Sequence, residues 1–263
     1  MIRRLDGKAA LVTGAGRGLG REIAARLARE GAEVALHHHR SDAGARALAA
    51  EVAAGGGKAV MIGADLRDPE ACARVVRDAE GQLGRLDILV LNAGIAKGGP
   101  MMAGDVGGIR ETIEVNLLAA LYITAAAVPG MLRRRFGRVV ALSSPTAEHG
   151  GLQGQCAYAA SKAGLVGFVK TLANELSPRA DFTANVVSPG VIATDMSSLG
   201  IQAFGDQLRA AIPLHRFGEP GDVAAAVAFL VSAEASYVNG QNLAVDGGYS
   251  LKYVSRRRSP TAE

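Results

Sequence analysis

The sequence has few aromatic residues and few cysteines, and it lacks a long uninterrupted apolar run. Tryptophan is absent and aromatic residues make up 4% of the chain, which argues against a surface that stacks nucleic-acid bases. The two cysteines, Cys72 and Cys156, lie far apart in the sequence, so we expect reduced thiols. The amino-terminal segment lacks the apolar stretch of a signal peptide, and no uninterrupted apolar run reaches about 18 residues. We therefore expect a cytoplasmic protein that engages neither nucleic acid nor membrane.

The remaining composition is that of a folded domain with a substantial core. The chain has 263 residues, of which 49% are hydrophobic and 21% charged, and this is enough for one large α/β domain. The net charge is +4, and Arg256, Arg257 and Arg258 supply three of the positive charges, which is a weak argument for an acidic partner. No linker divides the sequence. We expect residues 1–263 to form a single domain with a short basic tail at about 251–263.

Strand and helix patterns alternate along the chain. The predicted strands are 8–13, 33–37, 58–63, 86–91, 138–143, 182–187 and 242–246. The predicted helices are 21–30, 42–54, 69–83, about 109–134, the segment carrying Tyr158 and Lys162, a short helix within 192–212, and 220–231. Alternation at this spacing predicts right-handed βαβ units and a parallel sheet.

A glycine-rich turn follows the first predicted strand. The segment from Gly14 to Gly20 joins this strand to an amphipathic helix that Gly31 ends. Glycine allows the backbone to approach a pyrophosphate, and a helix N-terminus offers unpaired N–H groups, so strand, turn and helix together suit dinucleotide binding. The spacing of Gly14, Gly18 and Gly20 differs from the common G-x-G-x-x-G motif. From its context we interpret the turn as a cofactor site.

The end of the second predicted strand indicates which dinucleotide binds. Folds that bind NAD carry an Asp or Glu there for the adenine ribose, whereas here no acid follows the strand before Asp42. The neighbouring groups are three imidazoles at residues 37–39, Arg40, and Arg17 of the glycine turn. We predict that both arginines face a 2′-phosphate and that the cofactor is NADP(H). The three histidines could equally form a polar strand end, and they do not indicate a metal site because adjacent residues alternate sides of a strand.

Tyr158 and Lys162 lie four residues apart in a run with helical periodicity. Residues with this spacing share a helix face, about 5–6 Å apart at Cβ. A phenol has a pKa near 10, and a nearby cation favours the phenolate, so we predict that Lys162 lowers the pKa of Tyr158. Taken alone, the pair could equally be a Tyr and a Lys on an ordinary helix surface. Its interpretation depends on the rest of the chain.

The motifs occur together in the order of one enzyme family. They are Thr13–Gly20, Asp65, Asn92-Ala93-Gly94, Asn116, Ser144, Tyr158 with Lys162, and Pro189-Gly190 with Thr194. With them, the chain from about Leu5 to Tyr249 resembles the short-chain dehydrogenase/reductases. This resemblance implies an α/β fold with a Rossmann-like, doubly wound parallel sheet of about seven strands flanked by helices. Two features depart from the family pattern: Leu91 replaces a usual Asn, and the loop between Ser144 and Tyr158 is one residue longer than in many members.

The resemblance implies roles for four residues in the reduction of a ketone. Ser144 hydrogen-bonds the carbonyl oxygen as negative charge develops there, and Tyr158 donates the proton. Lys162 lowers the pKa of the tyrosine and holds the nicotinamide ribose, and Asn116 holds a water that links the lysine to solvent. Ser143 is a rival for the role of Ser144, since adjacent residues of a strand point to opposite faces.

The same resemblance implies a set of cofactor contacts that extends over most of the chain. They are Gly14, Arg17, Gly18, Leu19, Gly20, His38, Arg40, Asp65, Leu66, Asn92, Ala93, Gly94, Tyr158, Lys162, Pro189, Gly190 and Thr194. We predict Asp65 to contact the adenine, and we predict no metal site.

Within the family, the chain is most similar to 3-oxoacyl-acyl-carrier-protein reductases and polyketide ketoreductases. Arg135 and Arg179 occupy positions where those enzymes carry basic residues that dock an acidic carrier protein. We expect the two arginines on the rim of the cleft, although they could equally be solvated surface residues. The implied substrate is a ketone or a 3-oxoacyl thioester.

Two other functions stay open. The chain could act on a free small alcohol, sugar or polycyclic ketone, or it could bind NADP(H) without turnover. As to assembly, the helices around Asn116 and Tyr158 carry small or apolar residues on more than one face. Together with the resemblance, this pattern predicts a homotetramer.

Overall fold

Seven parallel strands form one sheet in the computed structural model, which describes residues 4–195 and 197–251. They are β1 (Ala9–Val12), β2 (Glu33–His38), β3 (Ala59–Gly63), β4 (Ile88–Leu91), β5 (Phe136–Leu142), β6 (Asp181–Pro189) and β7 (Asn242–Val245). Their spatial order is β3-β2-β1-β4-β5-β6-β7. This order confirms the predicted doubly wound sheet. Apart from Leu251, the predicted basic tail lies outside the described residues.

Helices cover both faces of this sheet. They are α1 (Gly18–Arg29), α2 (Asp42–Ala54), α3 (Pro69–Leu83), α4 (Val106–Ile113), α5 (Ala119–Arg133), α6 (Thr146–His149), α7 (Cys156–Leu176), α8 (Ser198–Ala211) and α9 (Pro220–Val231). One apolar core packs α3, α5 and α7 against one face, and a second packs α1, α2 and α9 against the other. Coverage on both sides explains why strands such as β1 are apolar at every residue. Leu91, the departure from the family pattern, is buried in the first core.

The helix predicted over residues 109–134 is longer and less regular than expected. It runs from Val106 to Arg133, and a π-helical turn, Glu114–Leu118, interrupts it between α4 and α5. Such insertions are frequent at functional sites, and this one contains the buried Asn116. Within the described part of the chain, Val106–Arg133 is the one helix long and apolar enough to cross a membrane by composition. Its contacts with α3 and α7 make it part of the helical layer instead.

Candidate active site

The predicted site residues gather where the order of the strands reverses. β1 pairs with β2 on one side and with β4 on the other, so a crevice opens between the carboxyl ends of β1 and β4. Thr13 ties the two strand ends together, because its hydroxyl oxygen accepts from the N–H groups of Asn92 and Ala93 at 2.9 Å each. The Asn92 side chain in turn donates to the Thr13 carbonyl at 2.8 Å. The glycine turn and the Asn92–Gly94 segment therefore form one wall.

The glycine turn is packed too closely for larger residues. Gly14 has a left-handed φ of 69°, and a Cβ there would lie 3.1 Å from Asn92 Nδ2. A Cβ on Gly20 would lie 2.3 Å from the Gly14 carbonyl oxygen. The first turn of α1, whose N–H groups have no partner within the helix, begins at Gly18 of this glycine turn. A bare backbone beside a helix N-terminus suits a pyrophosphate.

Other predicted cofactor contacts converge on this turn. A Cβ on Gly18 would lie 3.9 Å from Thr194 Cγ2, so the loop after β6 reaches the start of α1. Gly190 follows Pro189 at the end of β6, and a Cβ on it would lie 2.6 Å from Asp246 Cβ. Gly94 approaches the predicted catalytic residues. The sequence therefore predicted a set of residues that the fold brings to one edge of the sheet.

The basic residues after β2 differ in their exposure. Arg17 and Arg40 are both exposed, as a role at a 2′-phosphate requires. His38, which we predicted as a cofactor contact, is only 7% exposed. Its Nε2 lies 3.8 Å from the Asp42 carboxylate. His39 is exposed, with Nε2 at 3.8 Å from the carboxylate of Asp65.

The two adjacent serines after β5 have different partners. The Ser143 hydroxyl donates to the backbone carbonyl of Lys162 at 2.8 Å inside the protein. The Ser144 hydroxyl interacts instead with the Tyr158 phenol and also accepts from the N–H of Thr146 at 3.3 Å. The two hydroxyls therefore point in opposite directions. The Ser143 hydroxyl holds α7 against the end of β5, and the Ser144 hydroxyl lies beside the phenol.

Lys162 and Asn116 lie at the inner end of the site. The Lys162 ammonium is buried, donates to the Leu142 carbonyl at 2.7 Å, and lies 5.6 Å from the centre of the Tyr158 ring. The Asn116 side chain bonds both backbone groups of Ile95, accepting at 2.8 Å and donating at 2.9 Å. A Cβ on Gly94 would lie 3.4 Å from Asn116 Oδ1 and 3.5 Å from Lys162 Nζ. The four predicted catalytic residues are thus neighbours in space.

The electrostatics of this group differ from the prediction. Burial raises the pKa of Tyr158, and the hydrogen bond with Ser144 only partly opposes it. We had predicted that Lys162 lowers this pKa. In the structure, its ammonium lies 5.6 Å from the centre of the ring, and burial is the largest influence on the pKa of Tyr158. Burial also lowers the pKa of Lys162 to about 8.

The lowered pKa of Lys162 predicts an alkaline limit to activity. Below about pH 8 the lysine carries its proton, and above that pH the native protein loses the charge at this position. We expect the reduction rate at saturating cofactor to fall about tenfold per pH unit above this value. In Lys162→Arg this alkaline limb should vanish, because arginine stays protonated, although the variant is slower overall. An unchanged alkaline limb in Lys162→Arg would assign the titration to another group.

A cavity of about 330 Å³ lies beside the phenol. It is lined by Ala96, Lys97, Gly98, Gly99, Pro100, Gln153, Gly154, Gln155 and Tyr158. Gln153 lines this cavity, whereas Phe204 on α8 does not and is 55% exposed. One wall of the cavity is the segment from Gln153 to Tyr158. The other wall is the loop after β4, whose Gly99 and Pro100 pack against Gly154.

A series of charged side chains, which was not predicted from the sequence, runs from Asp65 after β3 to Lys97 in the cavity wall. The Arg67 guanidinium binds the Asp65 carboxylate with Nε at 2.9 Å from Oδ2 and holds the pKa of that carboxyl at about 2. Arg67 NH1 lies 3.7 Å from Glu111, which pairs with Lys97 of the cavity wall at 2.8 Å. No local sequence pattern identifies these pairs, because they join a strand end, a loop and α4.

The expected location of Arg135 and Arg179 is wrong. Arg135 immediately precedes β5, and its carbonyl accepts from the N–H of Asp181 at the start of β6. Arg179 lies in the turn between α7 and β6. Both are exposed at the amino ends of the strands, whereas Ser144 follows the carboxyl end of β5. The strand separates these ends by about 23 Å at about 3.3 Å per residue. Within one chain, the arginines are not on the rim of the cleft.

Reductases and dehydrogenases are among the known proteins with similar sequences or structures. The family model described as Enoyl-(Acyl carrier protein) reductase matches residues 14–250. The 3-oxoacyl-(acyl-carrier-protein) reductase FabG of Staphylococcus aureus is 39% identical over 241 residues, covering 92% of this chain and 97% of that protein.

Two solved structures are similar over almost their whole length. A short-chain dehydrogenase from Burkholderia cenocepacia in complex with NADP is 39% identical, with a TM-score of 0.87 and coverage of 94% of this chain and 99% of the other. A candidate NAD(P)-dependent gluconate 5-dehydrogenase from Beutenbergia cavernae, with NADP bound at low occupancy, is 38% identical, with a TM-score of 0.88 and coverage of 95% and 99%.

Proposed function

The chain belongs to the short-chain dehydrogenase/reductase family, and we propose that it reduces the ketone of a 3-oxoacyl thioester with NADPH. At the level of reaction class, it is an NADP-dependent oxidoreductase acting on CH–OH or ketone groups. The convergence of Ser144, Tyr158 and Lys162 beside a glycine-lined crevice carries the proposal. The similarity to FabG proteins supports the thioester, and a solved relative bound to NADP supports the cofactor.

The residues present suit a dinucleotide in the crevice. The glycine turn and the N-terminus of α1 would hold the pyrophosphate, and the exposed Arg17 and Arg40 would take a 2′-phosphate. Asp65 and Leu66 would border the adenine at the end of β3. When bound, the reduced nicotinamide supplies the hydride for the carbonyl carbon.

The protein's own side chains handle the charge that develops on the carbonyl oxygen. Ser144 donates a hydrogen bond to that oxygen, and Tyr158 transfers its phenolic proton to it. The raised pKa of Tyr158 keeps the phenol protonated before the reaction. The Lys162 ammonium would hold the nicotinamide ribose and would favour the phenolate that remains after transfer. Asn116 fixes the loop after β4 and, as we infer, a water that reconnects Lys162 to solvent.

The substrate class is tested by presenting one 3-oxo acid in three forms. These are the free acid, its N-acetylcysteamine thioester and the acyl group on carrier protein. We expect a higher kcat/KM for both thioesters than for the free acid, and the highest on the carrier. A higher kcat/KM for the free acid would reject the thioester assignment and leave the reductase class intact.

Cofactor choice is expected to depend on the two exposed arginines. NADPH should be preferred over NADH in kcat/KM, because Arg17 and Arg40 can pair with a 2′-phosphate and the end of β2 carries no acid for the ribose before Asp42. Arg17→Ala and Arg40→Ala should each weaken NADPH by about tenfold and NADH by less than threefold, as expected for the loss of a charge-assisted hydrogen bond. Equal losses for both cofactors would show that the arginines do not recognise the 2′-phosphate.

We propose that Arg135 and Arg179 dock a carrier protein for the active site of a neighbouring subunit. We infer a homotetramer in which α5 and α7 pack around a two-fold axis, and the half-exposed Tyr122 on α5 supports such an interface. An axis perpendicular to these helices brings the amino edge of one sheet beside the carboxyl edge of its partner. In that assembly the two arginines lie beside the cleft of the partner subunit, where they would bind a carrier protein that delivers its substrate to that cleft.

Charge reversal tests the docking role. Arg135→Glu together with Arg179→Glu should raise KM for a carrier-bound substrate by tenfold or more and change kcat/KM for a small thioester by less than about twofold, since exposed charges act on encounter. Activity of the unmodified enzyme on the carrier-bound substrate should also fall as salt rises. Equal losses on both substrates would instead indicate a role of the arginines in folding or assembly.

A free polar substrate is the second candidate. The cavity wall carries the polar side chains of Lys97 and Gln153, and the Beutenbergia relative is a candidate gluconate dehydrogenase. Either substrate would use the same Ser144 and Tyr158 chemistry. The comparison of free acid with thioester separates the two.

A further inference from the structure

His37 is buried behind the proposed cofactor crevice and contacts two of its segments, the glycine turn and the end of β3. It is the penultimate residue of β2 and is 2% exposed. Its backbone carbonyl accepts from the N–H of Ala15 at 2.8 Å, and its Nδ1 accepts from the N–H of Gly14 at 3.1 Å. Two successive N–H groups of the glycine turn are therefore held by one residue.

The second ring nitrogen reaches the neighbouring strand end. His37 Nε2 lies 3.2 Å from the carbonyl oxygen of Ala64, the residue before Asp65. Because the N–H of Gly14 only donates and the carbonyl of Ala64 only accepts, both contacts are satisfied by one form of the ring. This form is the neutral tautomer with the proton on Nε2.

The surroundings of the ring favour this neutral form. Burial lowers the pKa of His37 to about 4; the hydrogen bond to Ala64 and the charge of Asp65 raise it, and His38 and His39 lower it. These are the titratable groups facing the ring from β2 and from the end of β3, while the glycine turn after β1 faces it with backbone N–H groups. A protonated ring would direct an N–H at the N–H of Gly14, so the contact would become repulsive.

We propose that His37 is a positioning residue of the cofactor site, whose neutral imidazole fixes the glycine turn relative to the Asp65–Leu66 strand end. The inference rests on the proposed NADP(H) function and adds a residue that touches neither cofactor nor substrate. The glycine turn would bind the pyrophosphate, and the strand end would border the adenine. The imidazole therefore fixes the distance between the two segments that one dinucleotide must contact. Cofactor affinity should therefore depend on an acceptor at the position of Nδ1.

Two substitutions at this position test the role. In His37→Asn, the amide oxygen can accept from the N–H of Gly14 although the side chain is too short for Ala64, whereas His37→Leu offers no acceptor. At pH 7.5 we expect the Kd for NADP+ to rise about tenfold or more in His37→Leu, as for a buried donor left unsatisfied, and by less than about threefold in His37→Asn. The value of kcat at saturating NADPH should stay within about threefold in both. Equal affinities of the leucine variant and the unmodified protein would overturn the proposal.

A pH profile separates positioning from general support of the fold. The ratio of the Kd values of the unmodified protein and His37→Asn removes the titration of the cofactor's own phosphate, which both share. This ratio should increase as pH falls from 6 toward 4, because only the unmodified protein has an imidazole at position 37 to protonate. A constant ratio would contradict the role of the neutral ring.

The tautomer can be observed directly. In ¹⁵N-histidine-labelled protein at pH 7.5, the ring of His37 should show a proton on Nε2 and none on Nδ1. The opposite tautomer would overturn the proposal even if His37→Leu does not fold. Absence of NADP+ binding by the unmodified protein would instead reject the proposed cofactor, while the tautomer would still be measured.

Discussion

Tyr158→Phe is expected to abolish turnover, with a kcat at least 10³-fold lower, while the Kd for NADPH changes by less than about threefold. The substitution removes only the hydroxyl, which is the proposed proton donor and the partner of Ser144. The ring stays in place beside Lys162, so the binding surface is preserved. Steady-state rates and a fluorescence titration with NADPH measure the two quantities.

The matched control for this substitution is Tyr237→Phe. Tyr237 is fully exposed in the loop before β7, so loss of its hydroxyl should leave both kcat and cofactor affinity unchanged. If Tyr158→Phe retains a tenth or more of the kcat, the proton comes from another donor. The assignment of the acid would then be wrong.

Ser144→Ala should lower kcat about 10²- to 10³-fold, the usual effect of removing one donor to a developing oxyanion. Ser143→Ala is the natural comparison, because the two hydroxyls differ by one position and point to opposite sides. The Ser143 hydroxyl is bonded to the Lys162 carbonyl. Its removal should cost about 1 kcal/mol of unfolding free energy and less than about tenfold in kcat.

The pair of serine variants is measured by kinetics and by urea unfolding under the same conditions. A larger kinetic loss in Ser143→Ala, at equal stability of the two variants, would transfer the oxyanion role to Ser143. Similar losses in both would mean that the position of α7, rather than either hydroxyl, determines the rate.

The parallel sheet was predictable from the alternation of strand and helix patterns, whereas its doubly wound arrangement was predicted from the family resemblance. Strands buried on both faces are short apolar runs, such as Ile88–Leu91, and each is followed by the turn residues that end it. The proposed catalytic group was identified from the family resemblance, with which the shared helix face of Tyr158 and Lys162 and the place of Ser144 after a strand agree. Spacing along the chain alone left Tyr158 and Lys162 equally compatible with an ordinary helix surface.

What could not be predicted depends on contacts between distant segments. The bridge from His37 to Gly14 and Ala64 and the pairing of Glu111 with Lys97 join elements whose side chains meet only after folding. The direction of the pKa shift of Tyr158 was mispredicted because the burial that raises it is not visible in sequence. Arg135 was misplaced because nine positions separate it from Ser144, and most of them form a strand that crosses the whole sheet.

The most direct test of the proposed reaction follows the hydride itself. NADPH carrying deuterium at C4 of the nicotinamide, on the face that is transferred, is incubated with the protein and a 3-oxoacyl N-acetylcysteamine thioester, and the product is analysed by mass spectrometry. Both C4 epimers of the labelled cofactor are used, so that either face is covered. We expect a 3-hydroxyacyl thioester with one deuterium on the carbinol carbon from one epimer, and no product with Tyr158→Phe. Absence of this labelled product with both epimers would contradict the proposed reduction of a 3-oxoacyl thioester.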